Sequence, residues 1–149
     1  MTYSIQAFIA VQGGFPAALP DGAIVLPLDS GMQMIPLGSA MRRRYAIPFL
    51  PLTDDGATVL PATLQAFCAR LGAHGPLAYI EAELFGGSGT QAHVLLAAPG
   101  ADAVMRVSDD AINRALGWLD VAPVDGKDEF ATVGLGRRRE TDAWLDETK

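Results

Sequence analysis

The stretch Leu77 to Leu96, LAYIEAELFGGSGTQAHVLL, decides the fold of this 149-residue chain. It predicts two β-strands joined by a glycine-rich turn, because apolar and polar residues alternate on both sides of Gly86 and Gly87. Among the segments that read as sheet it also holds the densest set of ionisable groups. These are Tyr79, Glu81, Glu83 and His93. The stretch is therefore the first place to look for a functional site.

We expect the hydrophobic pattern to set the register of this hairpin, because a one-residue slip would move every side chain to the other face. On the first strand the apolar face consists of Ala78, Ile80, Ala82 and Leu84, and on the second of Ala92, Val94 and Leu96. Matching these faces predicts that His93 lies directly opposite Glu83, with about 5 Å between their β-carbons, and diagonal to Glu81.

Two interpretations of this Glu81, Glu83 and His93 face stay open. Carboxylates beside an imidazole favour its protonated form. They would suit a general acid/base pair or a site for a cationic group. The simpler interpretation is a cross-strand salt bridge, since no nucleophile adjoins the pair and the spacing is common in ordinary sheets.

Other catalytic motifs are missing from the sequence. The segment Gly86–Thr90 lacks the lysine and the following helix of a phosphate-binding loop. Two histidines and one cysteine, without CxxC or HxxxH spacing, predict neither a metal site nor a cofactor. No GxSxG nucleophile elbow and no nucleic-acid-binding module is present. The sequence thus leans away from an enzyme without deciding the question.

Composition points to one domain spanning residues 1–149. Half of the residues are hydrophobic and 19% are charged, which suits a chain with a sizeable core. No apolar run reaches the roughly 20 residues of a membrane span, and the N-terminus lacks the basic region of a signal peptide. With a single cysteine, the cytoplasm is the expected compartment. A net charge of −6 disfavours nucleic acid and anionic membranes and favours a basic protein or a cationic ligand.

Basic residues are concentrated in two triplets, which hold six of the eleven lysines and arginines. The triplets are Arg42, Arg43, Arg44 and Arg137, Arg138, Arg139. Such clusters bind phosphate or carboxylate groups. The alternative is a solvated face that balances nearby acids.

The rest of the chain predicts an α+β fold, with a mostly antiparallel sheet and two or three helices packed on one face. A strand is expected over Tyr3–Val11, and a hairpin over Ala23–Leu28 and Met32–Leu37, where Pro27 and Pro36 indicate short or edge strands. A helix is expected after Pro61, with an apolar stripe of Leu64, Phe67, Cys68 and Leu71. A second is expected after Ser108, with a stripe of Ile112, Ala115, Leu116 and Leu119, and a short third helix from Thr141.

Two segments carry a family resemblance. YIEAELFGGSGTQ (Tyr79–Gln91) and INRALGWLDV…DEFATVGLGRRRETDAWL (Ile112–Leu145) resemble small bacterial proteins of the type that gives immunity to polymorphic toxins. The shared motifs are not catalytic. The resemblance implies a protein that neutralises a cognate toxin by direct contact.

The leading hypothesis is therefore a non-enzymatic, cytoplasmic binding protein, with a basic toxin as its partner, because opposite charge raises the association rate. The expected contact residues are Glu81, Glu83, Phe85, Ser88 and His93, with Asp54, Asp55, Asp109 and Asp110 as steering charges. An alternative is a small enzyme or ligand-binding domain that uses the Glu/Glu/His face. A third is a homodimer through an edge strand near Pro27 or Pro36.

Overall fold

The computed structural model describes residues 2–53, 58–86, 88–98 and 101–146, and of Ser88 only the backbone. In these residues six strands form one antiparallel sheet with the order β2-β3-β1-β4-β5-β6. The strands are β1 (Thr2–Val11), β2 (Leu26–Pro27), β3 (Met32–Pro36), β4 (Leu77–Phe85), β5 (Ser88–Leu96) and β6 (Val104–Ser108). The two longest neighbours, β1 and β4, form the centre of the sheet.

Short helices and one 3₁₀ turn make up the remaining regular structure of the described residues. The helices are α1 (Ser39–Tyr45), α2 (Ala62–Leu71), α3 (Ala111–Trp118), α4 (Glu129–Val133) and α5 (Thr141–Asp146), and the 3₁₀ turn is Leu135–Arg137. The predicted apolar stripe of α2 is confirmed, since Leu64, Phe67, Cys68 and Leu71 are all buried. The stripe predicted for α3 is buried as well.

The sheet is covered on both sides. On one side, which we call the α3 face, Ile5 and Ile80 pack with residues of α3, α4, the 3₁₀ turn and α5. On the other side, the α2 face, Phe8 and Tyr79 pack with residues of α1, α2 and the segment 46–53. The central strands are consequently apolar on both faces, and six consecutive residues of β1 are buried.

The predicted α+β class with an antiparallel sheet is confirmed. The helices, however, lie on both faces of the sheet instead of on one, because the chain supplies two apolar layers. Pro27 does lie in an edge strand, whereas Pro36 lies in β3 and is buried opposite Ala7. β2 pairs only with Met34 and Gln33 of β3. It therefore does not extend to Pro36, which has no N–H to donate to a neighbouring strand.

The register predicted for the β4–β5 hairpin is wrong. His93 pairs with Ile80 instead of Glu83, so the partner lies three residues away along β4. Because the register is shifted by an odd number of residues, His93 lies on the opposite face of the sheet from Glu81 and Glu83. Because Phe85 pairs with Ser88, only two residues connect the strands, and this tight connection fixes the register. The hydrophobic pattern did not oppose it, since both faces of the sheet are buried.

Gly89 provides a test of this register. Its φ is +154°, and a β-carbon at this position would collide with the carbonyl oxygen of Glu83 across the strands. We predict that Gly89→Ala lowers the free energy of unfolding by roughly 1–3 kcal/mol. In the matched control, Gly75→Ala, a β-carbon meets nothing within 4 Å, so stability should stay the same or rise slightly. Urea denaturation measures both, and equal effects would contradict the register.

Candidate functional site

His93 lies on the α3 face, away from both predicted carboxylate partners. Its side chain is 3% exposed, and Nδ1 is 2.7 Å from the carbonyl oxygen of Ala111 at the start of α3. Because that oxygen only accepts, Nδ1 carries the hydrogen and donates it. Burial lowers the pKa of His93, and the bond to Ala111 opposes the shift. The imidazole therefore anchors α3 to the sheet as a neutral group.

Glu81 lies on the α2 face and is fully buried. Its Oε1 accepts hydrogen bonds from the backbone N–H of Leu52 at 3.2 Å and from the hydroxyl of Tyr79 at 3.0 Å. Its Oε2 accepts from the N–H of Thr53 at 3.0 Å and from the Thr53 hydroxyl at 2.8 Å. Four donors thus surround one carboxylate, which leaves it no free site for a partner.

The network continues to Gln6 on the neighbouring strand. The side-chain amide of Gln6 donates to the Tyr79 hydroxyl at 3.0 Å and to the carbonyl oxygen of Pro48 at 3.3 Å. Burial raises the pKa of Glu81, while the bonds from Thr53, Leu52 and Tyr79 oppose that shift. Burial, and then the Glu81 charge, raises the pKa of Tyr79.

This network holds residues 46–53, which we call the strap, against the α2 face. Ala46 and Leu50 of the strap have φ values of 57° and 45°, in the left-handed region that non-glycine residues seldom adopt. Leu50 is fully buried. Such a backbone persists only where its surroundings fix it, and the carboxylate of Glu81 provides two of the acceptors that do so. The role of Glu81 is to position the strap.

The strap leaves one end of the α2 face uncovered. The pairing of β1, β4, β5 and β6 places six side chains on this uncovered area, and all six are exposed or half-buried. We call this set the open end; it consists of Thr2, Ser4, Glu83, Phe85, Thr90 and Val107. Phe85 is 60% exposed and Val107 is 47% exposed. Two of the predicted contact residues, Glu83 and Phe85, thus lie on an accessible surface.

The remaining predicted contact positions fall at the hairpin tip, after the strap and after β6. Ser88 pairs with Phe85 at the tip, but its side chain lies outside the described part of the structure. Asp54 and Asp55 also lie outside the described residues. Asp109 is exposed after β6, and Asp110 accepts hydrogen bonds from Ser108 and Arg114, which lower the pKa of Asp110.

The first arginine triplet is in α1, on the α2 face. The Arg42 guanidinium carbon lies 4.8 Å from the centre of the Phe49 ring, and Arg44 forms an exposed ion pair with Asp21 at 2.9 Å. Arg43 is exposed.

The second triplet begins in the 3₁₀ turn on the α3 face. Arg137 donates to the carbonyl oxygen of Gly134, and Arg138 donates to that of Arg137. Arg139 is exposed, and its carbonyl oxygen accepts from the N–H of Ser4. The triplets are therefore not assembled into one anion site, and anion binding by either stays a prediction.

A cavity of about 340 Å³ lies beside the C-terminal half of α2 and is lined mainly by small apolar residues. Cys68 is among them, and burial raises the pKa of Cys68 to about 12. A neutral thiol is a poor nucleophile. Within the described residues no group of three or more His, Cys, Asp or Glu side chains is arranged to hold a metal ion. None of the described helices is long and apolar enough to cross a membrane.

Comparison of the chain with protein-family models, with curated proteins and with solved structures finds no significant match.

Sequence reasoning missed the partners of Glu81 and the strand β6. Gln6 gave a signal, because it is the polar residue inside an otherwise apolar strand, IQAFIA. Thr53 gave none, since its bond to Glu81 joins residues 28 positions apart. β6 is only five residues long and has no apolar alternation, so it does not stand out from a loop.

Removing one acceptor oxygen tests the role of Glu81. Whichever oxygen the amide of Glu81→Gln replaces, one buried backbone N–H, of Leu52 or Thr53, loses its acceptor. We predict a loss of about 1–3 kcal/mol in the free energy of unfolding. Glu83→Gln is the control, because its half-buried carboxylate accepts no hydrogen bond from the described residues, and it should change stability by less than about 0.5 kcal/mol. Equal losses would refute the anchoring role.

The lowered pKa of His93 gives a pH dependence with a definite sign. The unfolded chain binds a proton near pH 6.5, whereas folded His93 binds it only at lower pH. Folding stability is therefore fully present above pH 6.5 and falls as the pH drops through the folded pKa. His93→Asn keeps a donor for Ala111 but cannot titrate, so its unfolding free energy should fall less over this range. Parallel pH curves for the two proteins would contradict the assignment.

Proposed function

We propose that this protein is a non-enzymatic binding protein of the bacterial cytoplasm, and specifically an immunity protein that neutralises a basic toxin by direct contact. The observation that carries the proposal is the open end of the α2 face. A sheet whose central strands are covered on both sides leaves a large aromatic side chain, Phe85, 60% exposed there. Exposed aromatic residues beside polar ones are typical of protein interfaces.

The open end has the composition of an interface patch. Phe85 and Val107 supply apolar area, Thr2, Ser4 and Thr90 supply hydroxyl groups, and Glu83 supplies one negative charge. All six side chains lie on paired strands of the sheet instead of on loops. A partner would therefore meet a preformed surface, which lowers the entropic cost of binding.

The distribution of charge supports a basic partner. Residues 102–129 contain seven acids and three basic residues, and so carry four of the six net negative charges. Most of these acids are exposed. A surface of one dominant sign accelerates association with a partner of the opposite sign.

The alternative, a small enzyme or ligand-binding domain, was based on a Glu/Glu/His face. His93 is on the α3 face and Glu81 is enclosed by the strap, so these three side chains do not form one face. The homodimer hypothesis keeps only the two-residue edge strand at Pro27.

Coexpression with the products of neighbouring genes tests the proposal. One of them should be toxic alone, harmless together with this chain, and recovered with it as a complex. If none of them is toxic or bound, the immunity function is excluded.

A single truncation then tests the open end. We predict that Phe85→Ala weakens the complex by at least about 2 kcal/mol, or roughly 30-fold in Kd, as expected for a central aromatic contact. Val124→Ala is the control, because Val124 is 50% exposed but lies between α3 and α4 on the other side of the sheet. Isothermal titration measures both. An unchanged Kd for Phe85→Ala would move the contact surface elsewhere.

A further inference from the structure

The two edges of the sheet differ in their capacity to accept another strand. β2 is two residues long, and Pro27 has no N–H to donate. β6 is five residues long and contains no proline. Among the described residues β6 pairs only with β5, so the outward-pointing N–H and C=O groups of its backbone have no strand partner.

From this asymmetry we propose that β6 (Val104–Ser108) is a docking edge, where an extended, positively charged segment of the partner protein adds a seventh strand to the sheet. This inference rests on the proposed binding function and names the partner's chemistry. Backbone pairing at a free edge supplies affinity, and alternate side chains supply specificity.

The side chains of β6 leave its edge accessible. Natural edge strands are commonly protected by charged residues, prolines or bulges. Here Val104 is 59% exposed and Val107 is 47% exposed. Arg106 is the single charged residue of the strand, and it lies on the α3 face opposite His93. Apolar side chains are thus exposed on both faces of the edge.

Charge selects a cationic occupant over a second copy of this chain. Asp102 and Asp109 are exposed at the two ends of β6, and Asp110 follows at the start of α3. Two copies would bring two charges of −6 together, and one symmetric register would set Arg106 against itself. A strand with lysines or arginines near its ends would instead meet the flanking acids.

The edge also adjoins the open end, because Val107 belongs to both. Val107 pairs with Ala92, so its side chain is on the same face as Phe85. Side chains of a segment paired with β6 would therefore contact Val107, which borders the surface that contains Thr90 and Phe85. The partner's contacts through backbone and through side chains would form one continuous interface.

A synthetic peptide tests the edge without the natural partner. The probe is Lys-Val-Thr-Val-Thr-Val-Lys with blocked termini, titrated into the ¹⁵N-labelled protein. We expect saturable shifts of the amide signals of Val104–Ser108, and weaker binding at higher salt. The same peptide with terminal Glu in place of Lys, and one N-methylated at two consecutive central residues, should each bind at least about tenfold more weakly. Absence of binding, shifts elsewhere, or equal affinity of all three peptides would overturn the proposal.

Two matched variants of the protein complete the test. Val107→Lys places a positive charge on the edge and should weaken binding of the lysine peptide by at least about tenfold. Val124→Lys makes the same charge change at a similarly exposed valine outside β6 and should leave the affinity within about twofold. Should Val107→Lys fail to fold, the N-methylated peptide still decides the question. Sedimentation of the protein alone must show a monomer, since a dimer that protects the β6 amides from exchange would assign the edge to a second copy.

The two proposals fail separately. If the natural partner binds and depends on Phe85 but not on Val107, the open end stands and the docking edge is refuted. If the lysine peptide binds β6 while no neighbouring gene product is toxic or bound, the edge stands and the immunity function is refuted.

Discussion

Two-sided burial of the central strands is the constraint on which the rest of this structure depends. With both faces of β1 and β4 covered, every polar group placed there must find a partner inside the protein. Four polar side chains are buried among the described residues: Gln6, Glu81 and His93 lie on the sheet, and Thr132 lies in α4. Each of the three on the sheet binds the backbone of a covering segment: Gln6 at Pro48, Glu81 at Leu52 and Thr53, and His93 at Ala111. The buried polar groups therefore attach the outer layers to the sheet.

This arrangement explains why the ionisable groups of the hairpin do not form a catalytic site. Catalysis needs an acid and a base that reach the same substrate. Here Glu81 and His93 lie on opposite faces, and each is hydrogen-bonded to the backbone of a covering segment. Glu81 in particular accepts hydrogen bonds from backbone N–H groups of the strap. The strap contains two left-handed residues, Ala46 and Leu50, and two prolines, Pro48 and Pro51. A strap of this kind has little regular structure of its own and depends on the carboxylate beneath it.

The sequence predicted several individual strands and helices correctly, but it did not predict how they pack against one another. Periodicity identified β1, the β4–β5 hairpin and the buried stripes of α2 and α3, because a single strand or helix face is a local property. It did not reveal that α2 and α3 lie on opposite faces, since their stripes look alike. For the same reason it gave the wrong parity for His93: with two apolar faces, alternation no longer says which one points inward, and the two-residue connection decides. Glu83 and Phe85 were predicted as contact residues, and only the structure shows that they lie on an accessible surface. The partners of Glu81 depend on distant pairings that no local pattern encodes.

Where the covering layers end, the same constraint defines the accessible surface. The strap stops at the row of Gln6 and Glu81, so the next rows toward the hairpin tip, with Glu83 and Phe85, are left open. The sheet ends at β6, which lacks the proline that closes β2. Asp102 and Asp109 flank this edge, and their exposure keeps the cost of concentrating like charge small, because solvent and salt screen it within about 8 Å. A stable, doubly covered core thus allows one corner of the sheet to remain uncovered, apolar and negatively bordered, and Val107 is the residue at which the open face and the free edge meet.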